Sequence, residues 1–285
     1  MSEPEKITIK DVFLQKSQTF AETLKSYVST PDNQWTIKGF IDIFENIYTI
    51  SSDTKIISKI LEIHLFSKFF AFTNDNNYEI ILAEKQNWYP DISFVSKDNP
   101  EIKFAVDLKT TYRIDENPKF CNGFTLGSHG EYFINRNSSK NIQYPYNQYL
   151  GHYCLGIIYS RKALSYLEES KKYSIKELKN IQSVIGEFEF FAQEKWRIAS
   201  DKSGSGNTAN IGGISYIKDI IKGQGIFSKL GEHFFDEYWI NYGKINLPNS
   251  KKITNLIDYL KFKGKDEKWI NENIVSKKTT GNTKE

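Results

Sequence analysis

Cysteine is nearly absent from this 285-residue chain, with only Cys121 and Cys154 present. Two thiols cannot build a disulfide framework in a chain this size. Histidine is scarce as well. The four, at 64, 129, 152 and 233, are scattered and give no His/Cys cluster suited to zinc. No apolar run reaches the roughly 18 residues that a membrane span needs. The most apolar helix-like stretch, IISKILEIHLFSKFFAF (56–72), is broken by Lys59, Glu62 and Lys68. The first residues, MSEPEKITIKDV, lack the basic segment and apolar core of a signal peptide. Internal repeats are missing too. A cytoplasmic location is the expectation. The net charge of +3 does not by itself announce a nucleic-acid binder, although a local basic face would be hidden in that average.

What is present describes an ordinary globular protein: 39% hydrophobic, 15% aromatic and 26% charged residues, in a chain long enough to bury a substantial core. Residues 1–35 read as an N-terminal helical extension (DVFLQKSQTFAETLKSYV) ending at the Thr30-Pro31-Asp32-Asn33 turn. WTIKGFIDIFENIYTI (35–50), rich in β-branched and aromatic residues, reads as a short hairpin turning at Glu45-Asn46. Ser51 or Ser52 is expected to cap a helix running to about Phe72, with Asp53 in its first turn. NYEIIL (77–82) is a strand. PYNQYLGHYCLGIIYSRKALSYLEES reads as one or two buried helices, and IGEFEFFAQEKWRIAS as two strands joined by a tight turn. DKSGSGNTANIGG (201–213) is a loop. A basic helical segment runs to about residue 274, and 276–285 is expected to be a disordered tail. Interleaved helices and strands place the chain in the α/β or α+β class, with a mixed sheet at its centre.

The chemistry concentrates in NWYPDISFVSKDNPEIKFAVDLKTTY (87–112), two strands joined by a turn. Period-two alternation puts Asp107 and Lys109 on one face of the second strand. Folding back at SKDNPE would bring Asp91 beside Asp107. Two close carboxylates repel and raise each other's pKa unless a cation compensates. Lys109 is one such cation. A divalent metal is the stronger candidate, since an oxygen-only site suits Mg²⁺. On the helix, Lys55, Ser58, Lys59 and Glu62 share a stripe beside the apolar Ile56, Ile57, Ile60 and Ile63. Glu62 would either reach towards the hairpin or pair with a stripe neighbour at the surface. The pattern Pro-Asp, a gap, then Asp-x-Lys also fits a strand edge with solvated charges, so the motif alone leaves both readings open.

The residues around it form an ordered series: SSDTK (51–55), KQNWYPD (85–91), VDLKTTY (106–112), FTLG (124–127), KNIQYP (140–145), EKW (194–196) and GSGNTANIG (204–212). In this order and chemistry the chain resembles the EcoRV-type restriction endonucleases, a type II family in the PD-(D/E)xK nuclease superfamily. The likeness spans most of residues 39–240 and is slight in the first 35 residues and after about 240.

The resemblance implies a restriction-endonuclease core in a U-shaped homodimer around double-stranded DNA. Residues 36–50 would supply dimerisation strands and 51–275 the catalytic and DNA-recognition domain. It implies Asp91 and Asp107 as catalytic, metal-binding aspartates, Lys109 as the active-site lysine, and Glu62 as a further metal-binding acid. The implied reaction is Mg²⁺-dependent hydrolysis of DNA, leaving 5′-phosphates. Taken alone, SGSGNTANIGG is also readable as a flexible linker. In the resembled family it reads the outer base pairs of GATATC, so Gly204, Ser205, Gly206, Asn207, Thr208 and Asn210 are expected at DNA. Asn207 suits an adenine edge and the Thr208 methyl a thymine methyl. Gln86 and Asn87 are expected on the minor-groove side. Thr54, Lys55 and Lys140 are expected at phosphates. A companion DNA methyltransferase is implied by the family.

Trp88 departs from the family's histidine, and SHGEYFINRNSS (128–139) is two residues longer. Competing readings are a nuclease of the same fold with another target, a DNA-binding protein without catalysis, and a purely structural protein. The intact Asp91, Asp107 and Lys109 and the ordered motifs weigh against the last two.

Overall fold

The computed structural model describes residues 1–85, 87–162, 171–204, 209–247 and 250–274. Gln86, Ser205, Gly206, Asn207, Thr208 and the 276–285 tail therefore lie outside the described residues.

Helix α1 (Glu3–Val28) opens with a capping box between Ser2 and Glu5 and buries Phe13, Ala21, Leu24 and Val28. Strands β1 (Gly39–Ile41) and β2 (Asn46–Thr49) form an antiparallel hairpin whose turn places Glu45 at φ 62°. Helix α2 (Thr54–Asn76) is capped later than expected, one residue beyond Ser52 and two beyond Ser51. Asp53 is the N-cap, its carboxylate accepting from the backbone N–H groups of Lys55 and Ile56, because a short acidic side chain satisfies two otherwise orphaned donors. Asn77, left-handed at φ 57°, ends the helix. The buried face of α2 is Ile57, Ile60, Leu61, Leu65, Phe69 and Phe72; Ile56 and Ile63, expected on it, are exposed.

Strands β3 (Tyr78–Leu82), β4 (Ile92–Ser96) and β5 (Lys103–Ile114) form an antiparallel meander, with β6 (Asn117–Cys121) folding back on the end of β5. Short strand β7 (Thr125–Ser128) and helix α3 (Glu131–Ile134) follow. Of the stretch 145–170, read as one or two buried helices, the described residues 145–162 do not form them. Gly151–Arg161 is strand β8, pairing parallel to β5 from Phe104↔Gly151 to Tyr112↔Tyr159. Buried on both faces, it reads as a near-continuous apolar run with no alternation to distinguish it from a buried helix. Part of that stretch, 163–170, lies outside the described residues.

After β9 (Lys172–Ser174), β10 (Ile185–Glu194) pairs antiparallel with β8, giving a mixed sheet in the order β10-β8-β5-β4-β3 with β6 attached to β5. A 3₁₀ turn, Lys195–Ile198, leads into β11 (Ala199–Ser203), which pairs with β12 (Asn210–Gly213) and through it with β7. Helices α4 (Ile217–Lys222), α5 (Glu232–Asn241), α6 (Leu256–Phe262) and α7 (Glu267–Asn273) complete the described chain. One core lies where α1 and α2 cover the sheet, and Phe13 stacks on Phe104 of β5 at 3.9 Å between ring centroids. A second packs α4 to α7 against β7, β11 and β12.

Candidate active site

The register Ile92↔Val106 sets the residue before β4 beside the middle of β5. Asp91 and Asp107 are thereby brought together, and each takes a backbone donor from the other's strand. The Asp91 carboxylate accepts from Leu108 N–H at 2.7 Å, and Asp107 Oδ1 accepts more weakly from Asp91 N–H at 3.4 Å. Lys109, two residues along the same face, places Nζ 3.1 Å from Asp107 Oδ2. The Asp107 and Lys109 side chains are 9% and 23% exposed, so this pair is shielded from water on most sides.

Burial, reinforced by the Asp107 charge, pushes the Asp91 carboxyl up to about 6; Lys109 and the Leu108 N–H pull the other way, and Glu62 adds a small upward push. Burial alone would lower the Lys109 ammonium, but Asp107 and Asp91 together outweigh it and hold it above the usual lysine range. The site is thus a negative pair only partly compensated by its own lysine. Oxygen donors with unspent charge fit a hard divalent cation.

Glu62 sits on α2, 44% exposed, with Oε1 2.8 Å from Lys59 Nζ. Among the described residues no three His, Cys, Asp or Glu side chains gather closely enough to hold an ion, so the structure joins Asp91, Asp107 and Lys109 but leaves Glu62 on its surface partner. Thr54 and Lys55 open α2 in exposed positions, and Asn87 is exposed ahead of the site. Lys140, exposed, pairs with Glu131 at 2.7 Å. Gly204 and Asn210 meet at the ends of β11 and β12, where Gly204 N–H donates to the Asn210 carbonyl at 2.8 Å. A Cβ on Gly204 would come within 2.6 Å of Thr125 Cγ2, which accounts for glycine there.

Sequence reasoning missed the layer behind the acids. Tyr89, Tyr132, Tyr146 and His152 stack, with Tyr146 and His152 at 3.7 Å and Tyr89 and Tyr132 at 5.3 Å, and the Tyr89 hydroxyl hydrogen-bonds His152 Nδ1 at 2.9 Å. Into this stack projects Lys195, from the turn after β10. Its only signal was its place in the EKW motif (194–196).

Paired acids and a lysine on adjacent strands of a mixed sheet flanked by helices form the core of a restriction endonuclease. The chain belongs to the restriction endonuclease EcoRV family, whose profile it matches over residues 31–264. It is 36% identical over 229 residues to the type II restriction enzyme EcoRV of Escherichia coli, an alignment covering 80% of this chain and 91% of that enzyme. It is accordingly a site-specific deoxyribonuclease of type II. Among the described residues no helix is long and apolar enough to cross a membrane.

Proposed function

We propose that this enzyme cuts double-stranded DNA at the centre of GATATC, using Mg²⁺ and leaving blunt ends with 5′-phosphates. The observation that carries the reading is the meeting of Asp91, Asp107 and Lys109 on adjoining strands, with Asp107 buried and Asp91 open to solvent. Asp91 and Asp107 would hold the ion. Bound there, Mg²⁺ supplies Lewis acidity towards a phosphoryl oxygen and makes a water molecule more acidic. Phosphodiester hydrolysis demands a barrier reduction approaching roughly 20 kcal/mol, more than a lone lysine supplies. Lys109, held by Asp107, donates to a non-bridging phosphoryl oxygen and stabilises the charge that develops at phosphorus. Leu108 N–H and the β4–β5 ladder keep Asp91 oriented before DNA arrives.

Glu62 would join the ion by leaving Lys59. An exposed ion pair of this kind is worth about 0.2–1 kcal/mol, so the swing costs little. Thr54, Lys55 and Lys140 are assigned to phosphates, and Gln86 and Asn87 to the minor-groove side. Ser205, Gly206, Asn207 and Thr208, between Gly204 and Asn210, are assigned to the outer base pairs. The central TA step deforms readily, so bending can select it without contact.

A palindrome is matched by a two-fold dimer. The β1–β2 hairpin supports this: Phe40, Ile41, Ile43 and Phe44 are exposed, with Ile43 90% and Phe44 80% accessible, an apolar edge that a partner copy would cover. A cytoplasmic enzyme of this kind implies a methyltransferase that protects the host sequence. The test is plasmid DNA incubated with the enzyme and Mg²⁺ or EDTA, followed by sequencing of the ends. Blunt cuts within GATATC are expected; discrete cuts at another sequence would overturn the target, and no cutting would overturn the reaction.

A further inference from the structure

Lys195 is a charge in an unlikely place. The residue is 3% exposed, and its Nζ finds no hydrogen-bond acceptor among the described residues. The ammonium instead lies over aromatic faces, 5.2 Å from the Tyr89 ring centroid, 5.5 Å from Phe133 and 5.9 Å from Tyr146. Gly127, left-handed at φ 82°, closes the cage; a Cβ there would lie 3.4 Å from Nζ and 3.4 Å from the Tyr132 hydroxyl. The charged groups it senses are Asp107 and Asp236, which favour its charge, and Lys109 and Arg136, which oppose it. Burying an ammonium without a bonded partner costs stability, and an apolar residue of the same length would fill the space without that cost.

Tyr89 is the link between this cation and the reaction centre. Its backbone is fixed by the segment after Lys140: Tyr89 N–H donates to the Asn141 carbonyl at 3.0 Å, and Gln143 N–H donates to the Tyr89 carbonyl at 2.8 Å. Its ring is fixed by Lys195, Tyr132, Tyr146 and His152. Two residues on stands Asp91. With both ends of Tyr89 pinned, the Asp91 carboxylate is delivered to Leu108 N–H in one orientation.

We propose that Lys195 is a positioning residue for the cleavage reaction, its ammonium holding the Tyr89 ring by cation–π contact so that Asp91 is set against β5. The inference rests on the nuclease reading of Asp91 and Asp107. A cation on a desolvated tyrosine face gives a stronger hold than an apolar contact of the same area. An error of about 1 Å in a positioned group can cost on the order of 100-fold in rate.

The test uses Lys195→Met and Tyr89→Leu, singly and together, in the full-length protein. K195M is expected to melt no lower than the wild type. At saturating DNA it should cleave roughly 10- to 100-fold more slowly, with KM unchanged. In the Y89L background, adding K195M should slow cleavage no further, because both changes remove the same contact. Without DNA or metal, the Leu108 amide resonance should move in K195M, reporting the altered bond to Asp91. Wild-type cleavage by K195M, multiplicative effects in the double variant, an unmoved Leu108 amide or a lower melting temperature would each overturn the proposal. A wild-type enzyme that cleaves no DNA would instead defeat the nuclease reading, and the Leu108 amide would still report on Lys195.

Discussion

Leu108 donates its backbone N–H to the carboxylate of Asp91 at 2.7 Å, so the acid that precedes one strand is anchored by the strand that carries the other. Asparagine at 91 keeps an oxygen for that bond while removing the charge. Asp91→Asn should therefore leave the ribbon intact and abolish what the charge does. Cleavage is expected to fall by roughly 10³-fold or more, the loss of several kcal/mol of transition-state stabilisation, in a single-turnover assay. Stability should change in the opposite direction. With the folded carboxyl pushed up to about 6 from 3.8, the folded state holds the proton longer, so stability falls as pH rises between those values. At neutral pH, in EDTA, D91N should melt above the wild type.

The β1–β2 edge makes a separate claim on assembly. Ile43 and Phe44 sit at the hairpin turn beside Asp42, whose carboxylate accepts from the Phe44 and Asn46 backbone N–H groups and so holds the turn in shape. Ile43→Asp with Phe44→Asp removes the exposed apolar surface proposed to meet a partner copy, without touching that scaffold. Sedimentation is expected to show a monomer, and concerted cutting of both strands should be lost while the melting curve of the catalytic sheet persists. A dimer unchanged in mass would show that the interface lies elsewhere.

How far the site was legible differs by residue. Asp107 and Lys109 were readable because strand alternation fixes which side chains share a face, and the pair does form. Asp91 was readable because a short turn constrains the register. The strand β8 was not, since a run buried on both faces carries no period. Asp53 as the cap of α2 competed with two serines equally able to serve, and only the backbone path decides among them. Glu62 was ambiguous in sequence for a reason that persists in the fold: it pairs with a surface lysine, and under the proposed function the site would gain it as a third acid only when an ion attracts it. Lys195 was hidden because a lysine near a strand end usually means solvent, and its burial depends on aromatic residues drawn from three separate segments, at Tyr89, Phe133 and Tyr146.

Helix α1 lies ahead of the family match, which begins at residue 31, yet it is bound into the catalytic sheet. Phe13 is fully buried, stacked on Phe104 and edge-on to Tyr78 and Tyr153, and the Tyr153 hydroxyl donates to the Lys10 carbonyl at 3.1 Å. Phe13→Ala leaves a cavity under β5 and is expected to cost about 3–5 kcal/mol in denaturant unfolding. A loss below about 1 kcal/mol would mean that α1 is an ornament on the sheet rather than part of its core.

Lys195 gives a pH signature that belongs to stability alone. Burial pushes its ammonium down to about 8 from 10.5, against the attraction of Asp107 and Asp236 and with the help of Lys109 and Arg136. Below about 8 both folded and unfolded chains carry the charge, and the folded chain bears its full desolvation cost, on the order of 3 kcal/mol. Between about 8 and 10.5 the unfolded chain binds the extra proton, so this contribution to stability rises with pH. Lys195→Met has no such term. The stability advantage of K195M over the wild type is therefore expected to be largest at neutral pH and to shrink steadily as pH approaches 10.5. Urea unfolding of both proteins at four or five pH values across that interval measures the gap, and a gap independent of pH would mean that the ammonium is not desolvated in the folded enzyme.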